Sequence, residues 1–177
     1  MSSSHPASTH KTASRSVAAE GVAVPVPADA QLLLDVALLV QRIVAGGFML
    51  PHGLAKLLGW FGGPGLAGFA SELQAFDLPS SAPVALLLAV LQTTLGALVL
   101  LGAWTRLSAL LAMAFIAVTA TLSVSAGWFW NHHGAEYPLF WAAILFALML
   151  TGGGRFALDV HIIRRYRLPG YEDPCCD

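Results

Sequence analysis

The chain has 177 residues, with 9 lysines and arginines against 10 aspartates and glutamates, and a formal net charge of −1. Hydrophobic residues make up 56% and charged residues 11%, less than half of the roughly 25% that soluble domains carry. This composition excludes a water-soluble globular fold, because too few polar side chains exist to cover its surface. It also excludes a nucleic-acid partner held by electrostatics, which requires a basic face. We therefore expect the lipid bilayer to surround the middle of the chain.

The first 30 residues differ from the rest in composition. Residues 1–30 are rich in serine, alanine, threonine and proline and show no apolar periodicity, which predicts a disordered tail. No long apolar stretch follows Lys11 and Arg15, so we do not expect an ordinary secretory signal peptide. An organelle transit peptide is a second interpretation, which the acidic residues of the tail fit poorly. Near the other end, Cys175 and Cys176 are adjacent and form neither a disulfide framework nor a C-x-x-C redox pair.

Three windows without a charged residue reach or approach the length of about 20 apolar residues that a transmembrane helix needs. They predict helices near 84–104, 107–127 and 137–153. A more polar helix near 33–58 precedes them and brings the number of spans to four. The predicted fold class is therefore all-α, an integral membrane four-helix bundle. The membrane domain covers residues 31–158, and a cytoplasmic C-terminal tail covers 159–177.

The connection between the first two spans is the longest and has an amphipathic pattern. Its apolar residues recur at helical spacing beside serine, glutamate and glutamine: Leu66, Phe69, Leu73 and Phe76. Glycines and a proline precede the pattern, and a second proline follows it. This arrangement predicts a short interfacial helix between spans one and two.

The positions of lysine and arginine indicate the orientation, because cytoplasmic loops are enriched in both. Basic residues lie in the N-terminal tail, at Arg106 between the second and third spans, and in the C-terminal tail. They share one side only if there are four spans with both termini in the cytoplasm. We therefore expect a multi-pass protein of the cell inner membrane. Aromatic residues would then form a belt at the outer interface: Trp60, Phe61, Trp128, Phe129, Trp130, Tyr137 and Trp141.

The first helix carries a stripe of ionisable residues. Asp35, Arg42 and Lys56 are separated by multiples of seven residues, and His52 lies one turn before Lys56 on the same face. An ionisable side chain at membrane depth costs about 2.5–3.5 kcal/mol, so this face should point into the bundle. For Asp35 and Lys56, snorkelling to the two interfaces is an equally good interpretation. For Arg42, an internal polar contact is favoured.

Gly46-Gly47 and Pro51 interrupt the pattern of the same helix. Proline lacks an N–H group and crowds the carbonyl oxygen four residues earlier, that of Gly47. We therefore expect a kink that leaves a backbone acceptor free beside His52. Such breaks are tolerated where they line a cavity. The alternative is a kink that serves no ligand.

Two further polar groups complete the set of candidates. Gln92 lies in the second span, where it either links two helices by a hydrogen bond or contacts a ligand. Glu136 precedes the fourth span and follows His132 and His133 in one short loop. Adjacent histidines without a regular ligand spacing are weak evidence for a metal, and we assign no metal-binding residue. For Glu136, the helix dipole alone also favours an acid at this position.

Five stretches resemble, in order and spacing, the segments of the DoxX family: 48–57 with its His-Gly and following lysine, 65–69, 95–107, 134–137 and 152–159. The resemblance covers about residues 35–160 and implies a small four-helix membrane protein. Members of the family include a subunit of an archaeal thiosulfate:quinone oxidoreductase and a partner in a bacterial membrane-associated oxidoreductase complex. Many relatives carry a glutamate where this chain has Gln92, which can form hydrogen bonds but cannot carry a proton.

The resemblance implies a membrane subunit or partner of an oxidoreductase system that meets the quinone pool. Quinone is then the candidate cofactor, held without a covalent bond. His52, Lys56 and Gln92 are the candidate catalytic residues, because each can hydrogen-bond a quinone oxygen. Arg42 and Glu136, together with Gln92, are the candidate cofactor-binding residues. Electrons would come from a soluble or membrane redox partner protein, since the sequence has no cofactor-binding motif, so the chain would not be a self-sufficient enzyme. A homo-oligomer remains open.

Two other functions remain open. A non-enzymatic membrane anchor or assembly factor would use the outer loops or the basic C-terminal tail, with Arg164, Arg165 and Arg167. A small-solute or metal transporter would use the interior polar stripe. Four short spans without visible inverted repeats would need an oligomer for transport.

Overall fold

A computed structural model describes residues 27–161 of the chain. Five helices form the described part: α1 Ala28–Leu58, α2 Gly65–Ala75, α3 Ala82–Leu101, α4 Thr105–Ser123 and α5 Glu136–Thr151. Short 3-10 turns follow α1 and α4 and lie in the loop before α5. The disorder predicted for residues 1–30 lies outside the described residues, except at 27–30, where residues 28–30 form the start of α1 instead. The tail arginines 164, 165 and 167 and the two cysteines also lie outside them.

The helix boundaries differ from the predicted ones by a few residues. The first helix begins at Ala28 rather than near 33, and Asp29 in its first turn complements the helix dipole. The second span ends at Leu101 rather than near 104, because Gly102 adopts the left-handed conformation with φ of 71° and ends the helix. The third span gives way to a 3-10 turn after Ser123.

The four long helices form an antiparallel bundle. Helix α1 packs most extensively against α3, and α4 packs most extensively against α5. One end of the bundle contains the start of α1, the turn 102–104 and the segment after α5; we call it the terminal end. The other end contains the connection 59–81 and the loop 127–135; we call it the loop end. The predicted four-helix bundle is confirmed.

Small residues allow α1 and α3 to approach closely. A Cβ atom placed on Gly46 would lie 2.5 Å from the backbone nitrogen of Leu100 and 2.7 Å from the carbonyl oxygen of Gly96. A Cβ atom on Gly53 would overlap Thr93 in the same way. Membrane helices, which gain little from the hydrophobic effect when they associate, use such small residues to bring their backbones into contact.

The distribution of apolar side chains fits a lipid environment. Large apolar residues point outward as well as inward; Leu33, Phe48 and Leu87 are each more than 60% exposed. Helices α1 and α3 and the segment Thr105–Ala126 are long and apolar enough to cross a membrane. Helix α5 is apolar but has 16 residues, about 24 Å of helix against a hydrocarbon core of about 30 Å. These features place the bundle in contact with lipid.

The predicted short helix between the first two spans is present as α2. Phe69 and Leu73 are buried on its inner side and pack with Ala85 and Ala89 of α3. Phe76, just after the helix, is 46% exposed. The apolar side of α2 therefore covers the loop end of α3 and closes one side of the bundle there.

Helix α1 continues through Pro51 without interruption. The kink expected at this proline does not divide the helix, which extends over residues 28–58. The two preceding glycines differ sharply in their surroundings: Gly46 faces the backbone of α3, whereas a Cβ atom on Gly47 would have no neighbour within 4 Å. Gly46 thus serves helix packing.

Candidate functional site

An open cavity of about 450 Å³ lies at the loop end of the bundle. All four long helices contribute to it, and the loop before α5 covers it. Its lining residues come from α1, α3, α4, α5 and this loop: His52, Lys56, Gln92, Ile116, Thr119, Ser123, Trp130, His133, Gly134, Tyr137, Pro138 and Trp141. The three residues predicted to be catalytic, on α1 and α3, therefore line the same cavity.

A hydrogen bond between α1 and α3 fixes the polar side of this cavity. Lys56 Nζ donates to Gln92 Oε1 at 3.2 Å. The ammonium group also lies 4.4 Å from the centre of the Phe69 ring of α2, within range of a cation–π interaction. Gln92 is only 4% exposed. Its bond with Lys56 uses the amide oxygen, which leaves the amide nitrogen as a donor for another group.

Aromatic rings form the opposite side of the cavity. The rings of His52 and Trp141 meet edge to face, with centroids 5.4 Å apart. Tyr137 meets Trp141 in the same manner at 6.3 Å. The indole nitrogen of Trp141 donates to the carbonyl oxygen of Ala45 at 3.1 Å, which anchors α5 to α1. His52 itself is exposed where it lines the cavity.

Trp141 is therefore an exception within the predicted aromatic belt. Six of the seven aromatic residues assigned to this belt are more than half exposed at the loop end, but Trp141 is only 9% exposed. The prediction that it faces the membrane interface was wrong. Its ring instead joins the core of the bundle and the cavity wall, because its N–H group finds a backbone acceptor inside the protein.

The chemistry of the lining favours a flat molecule that accepts hydrogen bonds. Lys56 and the free amide nitrogen of Gln92 are donors, and each of the two histidines can donate from one ring nitrogen. No carboxylate is found among the lining residues of the described chain. Rings at the other side offer apolar, flat surfaces. A volume of this size lies within the usual range of about 300–1,000 Å³ for small-molecule sites.

Arg42, one of the predicted cofactor-binding residues, lies away from this cavity, near the terminal end. It is 1% exposed, and its Nη1 donates to the carbonyl oxygen of Leu100 at 3.5 Å. The Nε and Nη2 atoms have no partner within residues 27–161. The negative charge of Asp159 acts on Arg42 from the segment after α5. The inward orientation predicted for Arg42 is thus present, but the residue is not adjacent to Gln92.

Glu136, another of the predicted cofactor-binding residues, is not among the residues that line the cavity. It begins α5, and its carboxylate accepts a hydrogen bond from the backbone N–H of Trp130 at 3.2 Å. It therefore holds the loop that covers the cavity. Of the loop histidines, His133 lines the cavity and His132 does not. Within residues 27–161, no group of three or more histidine, cysteine or acidic side chains is arranged to bind a metal ion.

Two acidic residues hold the terminal end together. Asp35 of α1 is 3% exposed and accepts a hydrogen bond from the backbone N–H of Arg155 at 3.0 Å. Asp159 accepts from the backbone N–H groups of Trp104 and Thr105 and from the Thr105 hydroxyl, at 2.7 Å for the last. Asp159 therefore caps the start of α4, although the sequence analysis assigned it to the C-terminal tail, residues 159–177.

Several cavity residues were not singled out from the sequence. Thr119 and Ser123 are one helical turn apart on α4 and line the cavity with Ile116. Two weakly polar residues one turn apart in an otherwise apolar span were the sequence feature that could have indicated a polar face there. Tyr137 and Trp130 were assigned only to the aromatic belt.

Comparison with known families agrees with this architecture. The family model DoxX matches residues 37–133, which is more than half of the chain. The match runs from α1 to the loop before α5, so it contains the three helices that supply Lys56, Gln92 and Thr119. No curated protein and no solved structure gave a match. The chain therefore belongs to the DoxX family, a family of membrane proteins.

Proposed function

We propose that this protein is a membrane subunit or partner of an oxidoreductase system that meets the quinone pool, and that the loop-end cavity receives the quinone head group. The observation that carries the proposal is the meeting of His52, Lys56 and Gln92 from two helices in one cavity walled by Trp141 and Tyr137. A quinone head group is flat, accepts hydrogen bonds at two oxygens and takes up two electrons and two protons on reduction.

The residues of the cavity match these needs. The donors Lys56 and Gln92 lie on one side, held at a fixed spacing by their mutual hydrogen bond. The imidazole of His52 can donate a hydrogen bond or pass a proton to a bound oxygen acceptor. Trp141 and Tyr137 offer ring surfaces against which a flat ligand can pack. The electrons would come from a redox partner protein.

The position of the cavity follows from the proposed orientation. Arg106 and Arg155 lie at the terminal end, which the positive-inside rule assigns to the cytoplasm. Both termini would then be cytoplasmic in the inner membrane, and the cavity would lie at the outer face. In this orientation His133 and the loop before α5 separate the cavity from the outer aqueous phase.

Binding of a quinone analogue to the purified protein in detergent tests the proposal. Trp130 and Trp141 line the cavity, so quenching of tryptophan fluorescence reports occupancy. We expect His52→Ala and Lys56→Met each to weaken binding about tenfold or more, because each removes a hydrogen-bond donor worth about 1.4 kcal/mol. The same variants should lower quinone reduction by the complex with its redox partner.

His132→Ala is the matched control, because it removes a neighbouring loop histidine that does not line the cavity. Gel filtration establishes that each variant retains the folded state. Wild-type affinity in both His52→Ala and Lys56→Met would contradict the proposal, as would a loss of the same size in His132→Ala.

A further inference from the structure

A second cavity, of about 260 Å³, lies beside the first, between α2, α3 and α4. Its walls are mainly apolar, although Glu72 of α2 also lines it. The apolar side chains include Phe69 from α2, Phe76 just after α2, Leu88 from α3, and Phe115, Val118 and Leu122 from α4. Its character therefore differs from that of the first cavity, which has a polar side.

The two cavities are neighbours. Lys56, Thr119 and Ser123 line both of them. Lys56 lies at the boundary, with its ammonium group bonded to Gln92 on one side and over the Phe69 ring on the other. A molecule that reaches past these three side chains would have a polar head in the first cavity and an apolar extension in the second.

The architecture of the bundle explains why this space exists. Helices α3 and α4 are joined by the short turn 102–104 at the terminal end. At the loop end α2 packs on α3 through Phe69 and Leu73, so the second cavity is enclosed by α2 on one side and α4 on the other. Val118 and Phe76, which line it, are 57% and 46% exposed. The cavity can thus be reached from the lipid-facing surface of the protein.

We infer that the second cavity receives the first part of an isoprenoid tail, so that the ligand is a membrane quinone with a long apolar chain rather than a tail-free one. This inference rests on the function proposed above. It is supported by the position of the two cavities on either side of Lys56, Thr119 and Ser123, by the more apolar walls of the second cavity, and by the exposure of Val118 and Phe76 towards lipid. The remainder of the tail would lie in the bilayer beside α4.

Two probes with the same quinone head group test the inference, one without a tail and one with a decyl tail. In wild-type protein we expect the decyl probe to bind at least about tenfold more tightly, which corresponds to burial of about two methylene groups. Leu122→Trp fills the second cavity and should abolish this difference, with the affinity for the tail-free probe within about twofold of wild type. Leu88→Trp fills it from α3 and repeats the test if Leu122→Trp fails to fold.

Leu111→Trp is the control, since Leu111 lies on the same helix, is 47% exposed and lines neither cavity. Equal affinity of wild type for the two probes would overturn the inference and leave the proposed function standing. Failure of wild type to bind either probe would overturn both. A third outcome is that wild type retains a co-purified phospholipid that Leu122→Trp loses, while Leu122→Trp binds both probes as wild type does. This outcome would assign the cavity to an acyl chain and overturn the inference.

Discussion

Replacing Gly46 by valine is expected to destabilise the bundle by about 3 kcal/mol, at the upper end of the usual cost of overpacking. The new Cβ atom would lie 2.5 Å from the backbone nitrogen of Leu100 and 2.7 Å from the carbonyl oxygen of Gly96. Both atoms belong to the backbone of α3, so neither can turn aside as a side chain would. Helices α1 and α3 would have to separate. The free energy of unfolding, measured by denaturation in mixed detergent micelles, reports the change.

The adjacent residue provides a matched control. Gly47→Val makes the same chemical change in the same helix, but a Cβ atom there would have no neighbour within 4 Å. We expect a change within about 0.5 kcal/mol, as for most substitutions on an open surface. If both variants lose stability equally, the effect comes from valine in the helix rather than from the contact of α1 with α3.

Asp159→Ala is expected to cost about 3 kcal/mol, a large effect for a residue outside the long helices. Loss of a helix cap costs about 0.5–2 kcal/mol, and here three hydrogen bonds to Trp104 and Thr105 are lost together. The substitution also removes the negative charge that acts on buried Arg42, and a buried charge left without compensation is costly. The same denaturation measurement applies.

A second substitution separates these two contributions. In an Arg42→Met background the buried charge is gone, so Asp159→Ala should cost only the loss of the cap, about 1 kcal/mol. Asp159→Asn retains an acceptor oxygen and should fall between wild type and Asp159→Ala. An unchanged cost of Asp159→Ala in the Arg42→Met background would show that Arg42 and Asp159 do not depend on each other.

The sequence was sufficient to predict the fold class. Long windows without charge indicate the spans. The inward orientation of Arg42 also followed from the sequence, because an ionisable side chain in lipid is costly. For Asp35 the sequence left snorkelling to the interface equally open. The details of the ends did not follow. The early start at Ala28 and the conversion of the third span to a 3-10 turn after Ser123 depend on local contacts that hydropathy does not record.

The candidate site could be predicted only in part. His52 and Lys56 are one turn apart on α1, so their proximity follows from helix geometry, and Gln92 is the most polar residue of its span. Arg42 shares their face, but it lies about 15 Å from His52 along the axis, towards the start of the helix. A shared face therefore does not imply a shared site.

The interactions of Trp141 and Asp159 could not be predicted from local sequence. Trp141 binds a carbonyl oxygen 96 residues away, and Asp159 binds groups 54 and 55 residues away. Apart from the Thr105 hydroxyl, these partners are backbone atoms, which carry no residue-specific signal. The local sequence contained only two indications: tryptophan prefers the membrane interface, and Asp159 stands where the C-terminal tail was expected to begin. Neither indication reports a tertiary contact.

The cap that Asp159 places on α4 has a consequence for biosynthesis. A ribosome completes α3 and α4 well before it reaches Asp159, so the nascent hairpin enters the membrane while the first amide groups of α4 lack their carboxylate. The cap on α4 can therefore form only after the last helix has been synthesised. Chains that end before this aspartate would lack the cap and leave the first amide groups of α4 without this acceptor.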